Sequence, residues 1–314
     1  VNSLPHFVAA GEALTDLLRS GASSWSSQVG GSTWNVARVV ARLGLPSAFA
    51  GAVSRDVFGA QLAAANGAAG LDPRFLQQVD RSPLLAVVHE LDPPRYFFIG
   101  DDSADLHFDA SLLPAGWQQA ARWVHFGGIS LAREPLAGKL VALAQALKAN
   151  GVSVSYDPNF RALMDERYDA TLRSMAAVAD VIKVSDEDLR GLFRLGADAG
   201  ADACAAALDS LRELNPRAAI LYTRGERGAQ LLRQGRAWQA AAPSVAVADT
   251  VGAGDASIGA LLYSLMQHPA RGDGEHLRFA VAAGAAACTA PGATPPSLDQ
   301  VENLLAGVAA QEVA

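Results

Sequence analysis

Short apolar runs alternate with longer stretches of helical periodicity along most of the chain. This alternation restricts the fold more than any other feature. Phe7–Ala10, Ala48–Val53, Trp123–Phe126, Val152–Tyr156, Val181–Val184 and Ala219–Thr223 read as buried strands. Thr33–Leu43, Asp56–Ala65, Pro135–Ala149, Asp165–Ala179, Asp202–Leu214, Ala253–Met266 and Glu275–Ala290 read as helices. Continuous apolar strands separated by helices predict an α/β fold whose mostly parallel sheet is covered on both faces. Ligands of such sheets bind beyond the carboxyl ends of the strands. Two stretches interrupt the pattern. Leu84–Glu90, a turn at Asp92-Pro93-Pro94 and Arg95–Ile99 read as a hairpin, and Leu14 to Val29 holds strand-like pieces around a Ser/Gly-rich turn. They form either a small separate β-sheet or an edge extension of the main one. Gln230–Leu232 and Ala237–Ala240 read as a further hairpin.

The 314 residues are 50% hydrophobic, enough for one large core with at most a small attachment. The net charge of −7 comes from interspersed acids and bases, with no Lys/Arg cluster to meet nucleic acid. No apolar run reaches membrane-spanning length, and Val1 to Ala10 lacks the pattern of an export signal. The two cysteines, Cys204 and Cys288, lie in alanine-rich stretches and read as small buried thiols of a reducing, cytoplasmic setting. The six histidines are scattered, so no metal cluster is expected, and His125 reads as a core histidine.

Asp249-Thr250-Val251-Gly252-Ala253-Gly254-Asp255-Ala256 runs straight into an apolar stretch without a breaker until Pro269. Two glycines before a helix start let successive amides point one way, and the unpaired amides with the helix dipole make an anion site. Asp255 at its mouth is placed to take a proton from a hydroxyl that attacks a bound phosphate. The competing reading is an ordinary helix-capping segment. Asp16 follows the first strand among Leu14, Leu17 and Leu18. Its carboxylate could accept from two neighbouring sugar hydroxyls, or it could sit at a strand edge facing solvent. Asp56 reads as the cap of the next helix.

The Asp249–Ala256 string closely resembles the C-terminal motif of the PfkB, ribokinase-like carbohydrate kinases. The resemblance extends over nearly the whole chain through Gly30-Gly31-Ser32-Thr33-Trp34-Asn35, Gly51–Gly59, Asp157-Pro158-Asn159-Phe160-Arg161, Lys183–Asp188, and Thr223-Arg224-Gly225-Glu226-Arg227-Gly228-Ala229. It implies one ribokinase-like domain over residues 1–314, with lid segments at about 14–30 and 84–100. It implies ATP-dependent phosphorylation of a primary hydroxyl of a ketose. Gly-Glu-Ala-Leu-Thr-Asp and Asp-Pro-Asn-Phe-Arg favour fructose, with ribose, 2-keto-3-deoxygluconate or a nucleoside as alternatives. A non-catalytic sugar- or nucleotide-binding relative is the alternative of another class.

Carried over residue by residue, the resemblance gives Gly252, Ala253, Gly254 and Asp255 the catalytic nest and base. Asp16, Gly31, Asn35, Phe98 and Arg161 would hold the sugar. Lys183, Ser185, Thr223, Gly225, Gly228, Gly254 and Cys288 would serve ATP. Many relatives carry Asn-x-x-Glu where this chain has Ser185 and Asp188, so Asp188 would reach Mg²⁺ through water, one methylene short. Asp249 and Gly292 lie where some relatives bind a monovalent cation such as K⁺. Each position also has a plainer reading. Asn35 could be a polar residue at a helix start, Asp157 and Arg161 an internal turn pair, and Asp188 an acid favoured by the helix dipole. Trp34 is bulkier than the pattern expects and would either narrow the sugar pocket or pack under the lid. A lid edge could pair two copies into a homodimer.

Overall fold

The computed structural model describes residues 3–91, 94–196 and 199–313. The chain begins β1 (Phe7–Ala10), β2 (Leu14–Arg19), β3 (Trp25–Gly30), α1 (Ser32–Arg42), β4 (Ser47–Ser54), α2 (Val57–Ala68) and β5 (Leu76–Val79). It continues β6 (Leu85–Leu91), β7 (Pro94–Ile99), α3 (Trp117–Ala120), β8 (Trp123–Gly127), α4 (Leu136–Ala149), β9 (Ser153–Asp157), α5 (Asp169–Val178), β10 (Val181–Ser185) and α6 (Asp186–Leu192). It ends α7 (Ala201–Leu214), β11 (Ala219–Thr223), β12 (Ala229–Arg233), β13 (Arg236–Ala240), α8 (Ala253–Gln267), α9 (Asp273–Ala287), α10 (Leu298–Leu305) and β14 (Ala310–Val313).

The expected alternation is present. The ten-stranded sheet runs β14-β13-β12-β11-β10-β9-β8-β1-β4-β5, and β11 through β5 are all parallel. Side chains of each buried strand alternate between two cores. On β1, Val8 and Ala10 join the core beneath α4, α5 and α7, while Phe7 and Ala9 join the core beneath α1, α8 and α9. That division of a continuous apolar run is why its periodicity looked featureless in the sequence.

After β1 the chain winds one way to β4 and β5, and β8 to β11 extend the other way. The strand order therefore reverses at β1 and β8, which opens a crevice past their carboxyl ends. Gly11 and Glu12 leave β1 there, and Gly128 and Ile129 leave β8. The four-stranded sheet β3-β2-β6-β7 stands over this crevice as a separate sheet, so the edge-extension reading is set aside. The Asp92-Pro93 part of the expected turn lies outside the described residues.

Several boundaries move. The expected helix from Asp165 is a 3₁₀ turn, Glu166–Tyr168, followed by α5. Asp56 is the cap of α2, accepting from the Phe58 and Gly59 amides, and the helix proper runs on to Ala68. The helix at Glu275 begins at Asp273 and stops at Ala287. Cys288 is therefore a half-buried cap residue rather than a buried helical thiol, while Cys204 is buried on α7 as expected. The four-residue strands β5 and β14 carry too few residues to show a period and were not expected, nor was α10. No helix among the described residues is long and apolar enough to cross a membrane.

Candidate active site

Two helix starts meet at Asp255. It lies in the first turn of α8, and Ser32 and Asn35 lie in the first turn of α1. Ser32 Oγ donates to Asp255 Oδ1 at 2.7 Å and Asn35 Nδ2 donates to Oδ2 at 2.9 Å. Burial pushes the Asp255 carboxyl above its usual range, while those two donors, Lys183 and Arg161 pull it down. A carboxylate so held keeps lone pairs for a hydroxyl proton and is more basic than an exposed one.

The turn before α8 is built on Gly252, in the left-handed region at φ 80°. A Cβ there would stand 2.8 Å from Ala293, so both conformation and packing call for glycine. No side chain caps α8. The Ala253 amide donates to the Thr250 carbonyl, which removes Ala253 from the anion nest expected of it. Among the described residues, the Gly254 and Asp255 amides have no protein acceptor and remain for an anion.

These groups open into a cavity of about 310 Å³ that also takes in Asp16, Gly31, Asn35, Phe98, Arg161 and Lys183. Sheet register explains the wall. Gln28, Asp16, Ala86 and Phe98 lie side by side across β3, β2, β6 and β7, so one row of the small sheet faces the crevice. Burial raises the Asp16 carboxyl to about 6, against the pull of Arg161. Arg161 donates to the Asn159 side chain at 2.9 Å and lies 5.9 Å from the Tyr96 ring. Gly31, expected to admit the sugar to the backbone, also fits against this chain's own Glu12 carbonyl, 2.6 Å from where a Cβ would be. Asn35 gives one amide hydrogen to Asp255, and its oxygen accepts from Arg38.

Beneath the cavity Lys183 is buried between Asp157, at 3.1 Å, and Asp188, at 3.6 Å. These carboxylates hold it as the ammonium ion despite burial. Asp188 Oδ1 accepts from the Phe160 amide, and Oδ2 accepts from the Ser185 amide and hydroxyl. The residue is 3% exposed. Its shorter side chain closes the capping box of α6, so both of its oxygens already accept from the protein. Asp249 ties two loops, accepting from the Val251 and Gly292 amides.

Ser185, Thr223, Gly225, Gly228 and Cys288 do not line this cavity. Ser185 and Thr223 face each other at the carboxyl ends of β10 and β11, two residues beyond Lys183. Gly225 and Gly228 bound the turn that follows. The Cys288 carbonyl accepts from the Ala248 and Asp249 amides, joining it to the loop that leads into the nest. Trp34 does not narrow the pocket. It is 1% exposed in the core and donates to Asn66 on α2. His125 is buried, bonds Ser155 through Nδ1, and is held neutral by burial, which lowers its pKa to about 3. Its Nε2 has no partner among the described residues, so it is only half satisfied.

Sequence reasoning missed Glu12, Ser32, Gln28 and Tyr96, whereas Asn159, which the resemblance placed near the phosphate-transfer region, does line the cavity. Glu12 is 2% exposed and accepts from the Ser130 amide and hydroxyl, and burial raises it to about 7. An acid one glycine beyond an apolar strand was the available signal.

The pattern of the pfkB family carbohydrate kinases matches residues 8–300. The chain belongs to this family. Fructokinase of Klebsiella pneumoniae is 32% identical over 293 residues, covering 90% of this chain and 93% of the relative. Among solved structures, fructokinase from Xylella fastidiosa with bound ATP superposes with TM-score 0.84 at 28% identity, over 96% of this chain and 99% of that one. Fructokinase from Vibrio cholerae O395 in a fructose-, ADP- and calcium-bound form gives TM-score 0.80 at 27% identity, over 95% and 98%. As a pfkB family member, the chain has the ribokinase-like fold.

Proposed function

We propose that the chain is an ATP-dependent kinase that phosphorylates a primary hydroxyl of a ketose, fructose in the first instance. The observation that carries this is Asp255. It is a buried carboxylate of raised basicity beside two free helix amides, in one cavity with Asp16 and Arg161. The fructokinase names of similar chains support the acceptor.

In this reading Asp16 and Arg161 orient the sugar, with Phe98 and Tyr96 against its less polar side. Asp255 accepts the hydroxyl proton as the new O–P bond forms and the bond to the departing diphosphate breaks. The Gly254 and Asp255 amides and Lys183 balance the charge on the moving phosphoryl group. ATP, when bound, supplies that group. Its phosphates fit the donor set, because the nest offers amides where a side chain would fill the space. Thr223, Gly225, Gly228, Ser185 and Cys288 would flank the rest of the nucleotide. Among the described residues no group of three acids, histidines or cysteines could hold a metal, so Mg²⁺ would arrive on the ATP phosphates. The small sheet acts as the lid, excluding water as competing acceptor.

Asp255→Asn removes the base and keeps the shape. Turnover should fall ~10²-fold or more with ATP affinity retained; a normal rate would remove Asp255 from this role. Coupled ADP release is screened over fructose, ribose, 2-keto-3-deoxygluconate and adenosine, with and without K⁺. Fructose should give the highest kcat/KM, and K⁺ dependence would assign the Asp249–Gly292 loops a cation. Binding heat without ADP release would point to a non-catalytic relative instead.

The lid also supports a homodimer. Phe97 and Ile99 alternate with the cavity-facing Tyr96 and Phe98, and with Trp25 they are 51%, 50% and 47% exposed. Pairing through this face predicts a dimer by light scattering that Phe97→Glu converts to monomer. A monomeric parent protein would exclude it.

A further inference from the structure

Trp34 and Arg38 take no part in the chemistry outlined above, and neither lines the cavity. They are four residues apart on α1 and therefore share a face. The Arg38 guanidinium carbon lies 4.3 Å from the centroid of the Trp34 ring. That ring is fixed by burial and by its bond to Asn66 at 3.3 Å. Thus held, Arg38 Nη1 donates to Asn35 Oδ1 at 3.1 Å and to the Ala293 carbonyl at 3.2 Å.

A guanidinium has donors only. The Asn35 oxygen must therefore face Arg38, and its NH₂ must face Asp255, where it donates at 2.9 Å. The flipped amide would set a carbonyl against a carboxylate and an NH₂ against a cation. The Ala293 carbonyl, accepting from the same nitrogen, anchors the guanidinium in this orientation. We propose that Arg38, stacked on Trp34, is a positioning residue that locks the Asn35 amide toward the general base. The unexpected bulk of Trp34 is the platform that aims Arg38. The catalytic part of this inference rests on the kinase reading above.

Arg38→Met keeps an unbranched side chain and removes the donors. It should lower kcat about tenfold, with sugar and ATP KM changed less than about twofold. In an Asn35→Ala background the same substitution should cost less than about twofold, because its effect runs through Asn35. A purely structural role would lower the melting temperature and multiply with Asn35→Ala. Unchanged kcat in Arg38→Met, or multiplied losses in the double variant, would overturn the proposal. If Arg38→Met does not fold, Trp34→Phe, which shrinks the stacking face, is read in the same two backgrounds with the same criteria. Independently of turnover, the Asn35 side-chain NH₂ signal, assigned by its loss in Asn35→Ala, should exchange with water at least about tenfold faster in Arg38→Met or Trp34→Phe. Equal exchange rates would overturn the proposal. A wild-type protein that forms no ADP would refute the kinase reading and leave this exchange test standing.

Discussion

Asp16 and Asp255 are carboxylates of one cavity, and their surroundings give them different tasks. Asp255 has two fixed donors on its oxygens, which in the proposed reaction would orient it toward a single incoming proton. Asp16 has no such clamp among the described residues, and burial lifts it to about 6. It therefore becomes protonated as pH falls through 6, and in the proposed sugar site it would then no longer accept from two hydroxyls at once. Sugar KM should rise by up to about tenfold per pH unit below 6. In Asp16→Asn it should be high and flat over the same range. A wild-type KM unchanged between pH 7 and 5 would detach Asp16 from sugar binding.

At the scale of elements, the site depends on how closely α1 approaches α8. Gly259 of α8 lies against Val39 of α1, and a Cβ there would stand 2.8 Å from the valine Cγ1 and 2.9 Å from its Cβ. The β-branched valine has little freedom to yield. Gly259→Ala should push the helices apart, destabilise the fold by about 1–3 kcal/mol and lengthen the Ser32 and Asn35 bonds to Asp255. Its signature is a lowered melting temperature together with reduced kcat in the fraction that remains folded. Full activity per folded molecule would show that the helix spacing does not govern the base. The amphipathic period of α1 was legible in the sequence. Its distance from a helix more than two hundred residues later was not, because that distance is set by small residues meeting in space.

Across the whole molecule, burying acids under the crevice has a thermodynamic consequence. Glu12 is raised to about 7 by burial, and Asp16 to about 6. Each binds its proton more tightly folded than unfolded. Each therefore contributes stability that is fully present below the ordinary carboxylate range and is lost as pH rises through its folded value. For Glu12 the change is up to about 3 kcal/mol. Urea midpoints of wild type and Glu12→Gln at pH 5 and pH 8 check this. The wild type should lose stability relative to the variant as pH rises, and parallel behaviour would contradict it.

The alternation of runs determined the parallel sheet by itself, because burial on both faces demands continuous apolar strands. The glycine loop ahead of α8 likewise announced a left-handed turn opening a helix with unpaired amides, since local backbone freedom and a helix start act over a few residues. The sequence could not place Ser32 and Asn35 on the two oxygens of Asp255, 223 and 220 positions away. Nor could it turn Asp188 inward or bury Trp34 under Arg38. Those outcomes follow from which strands neighbour one another and how near two helix starts come, and only the folded chain brings such distant groups within hydrogen-bonding range.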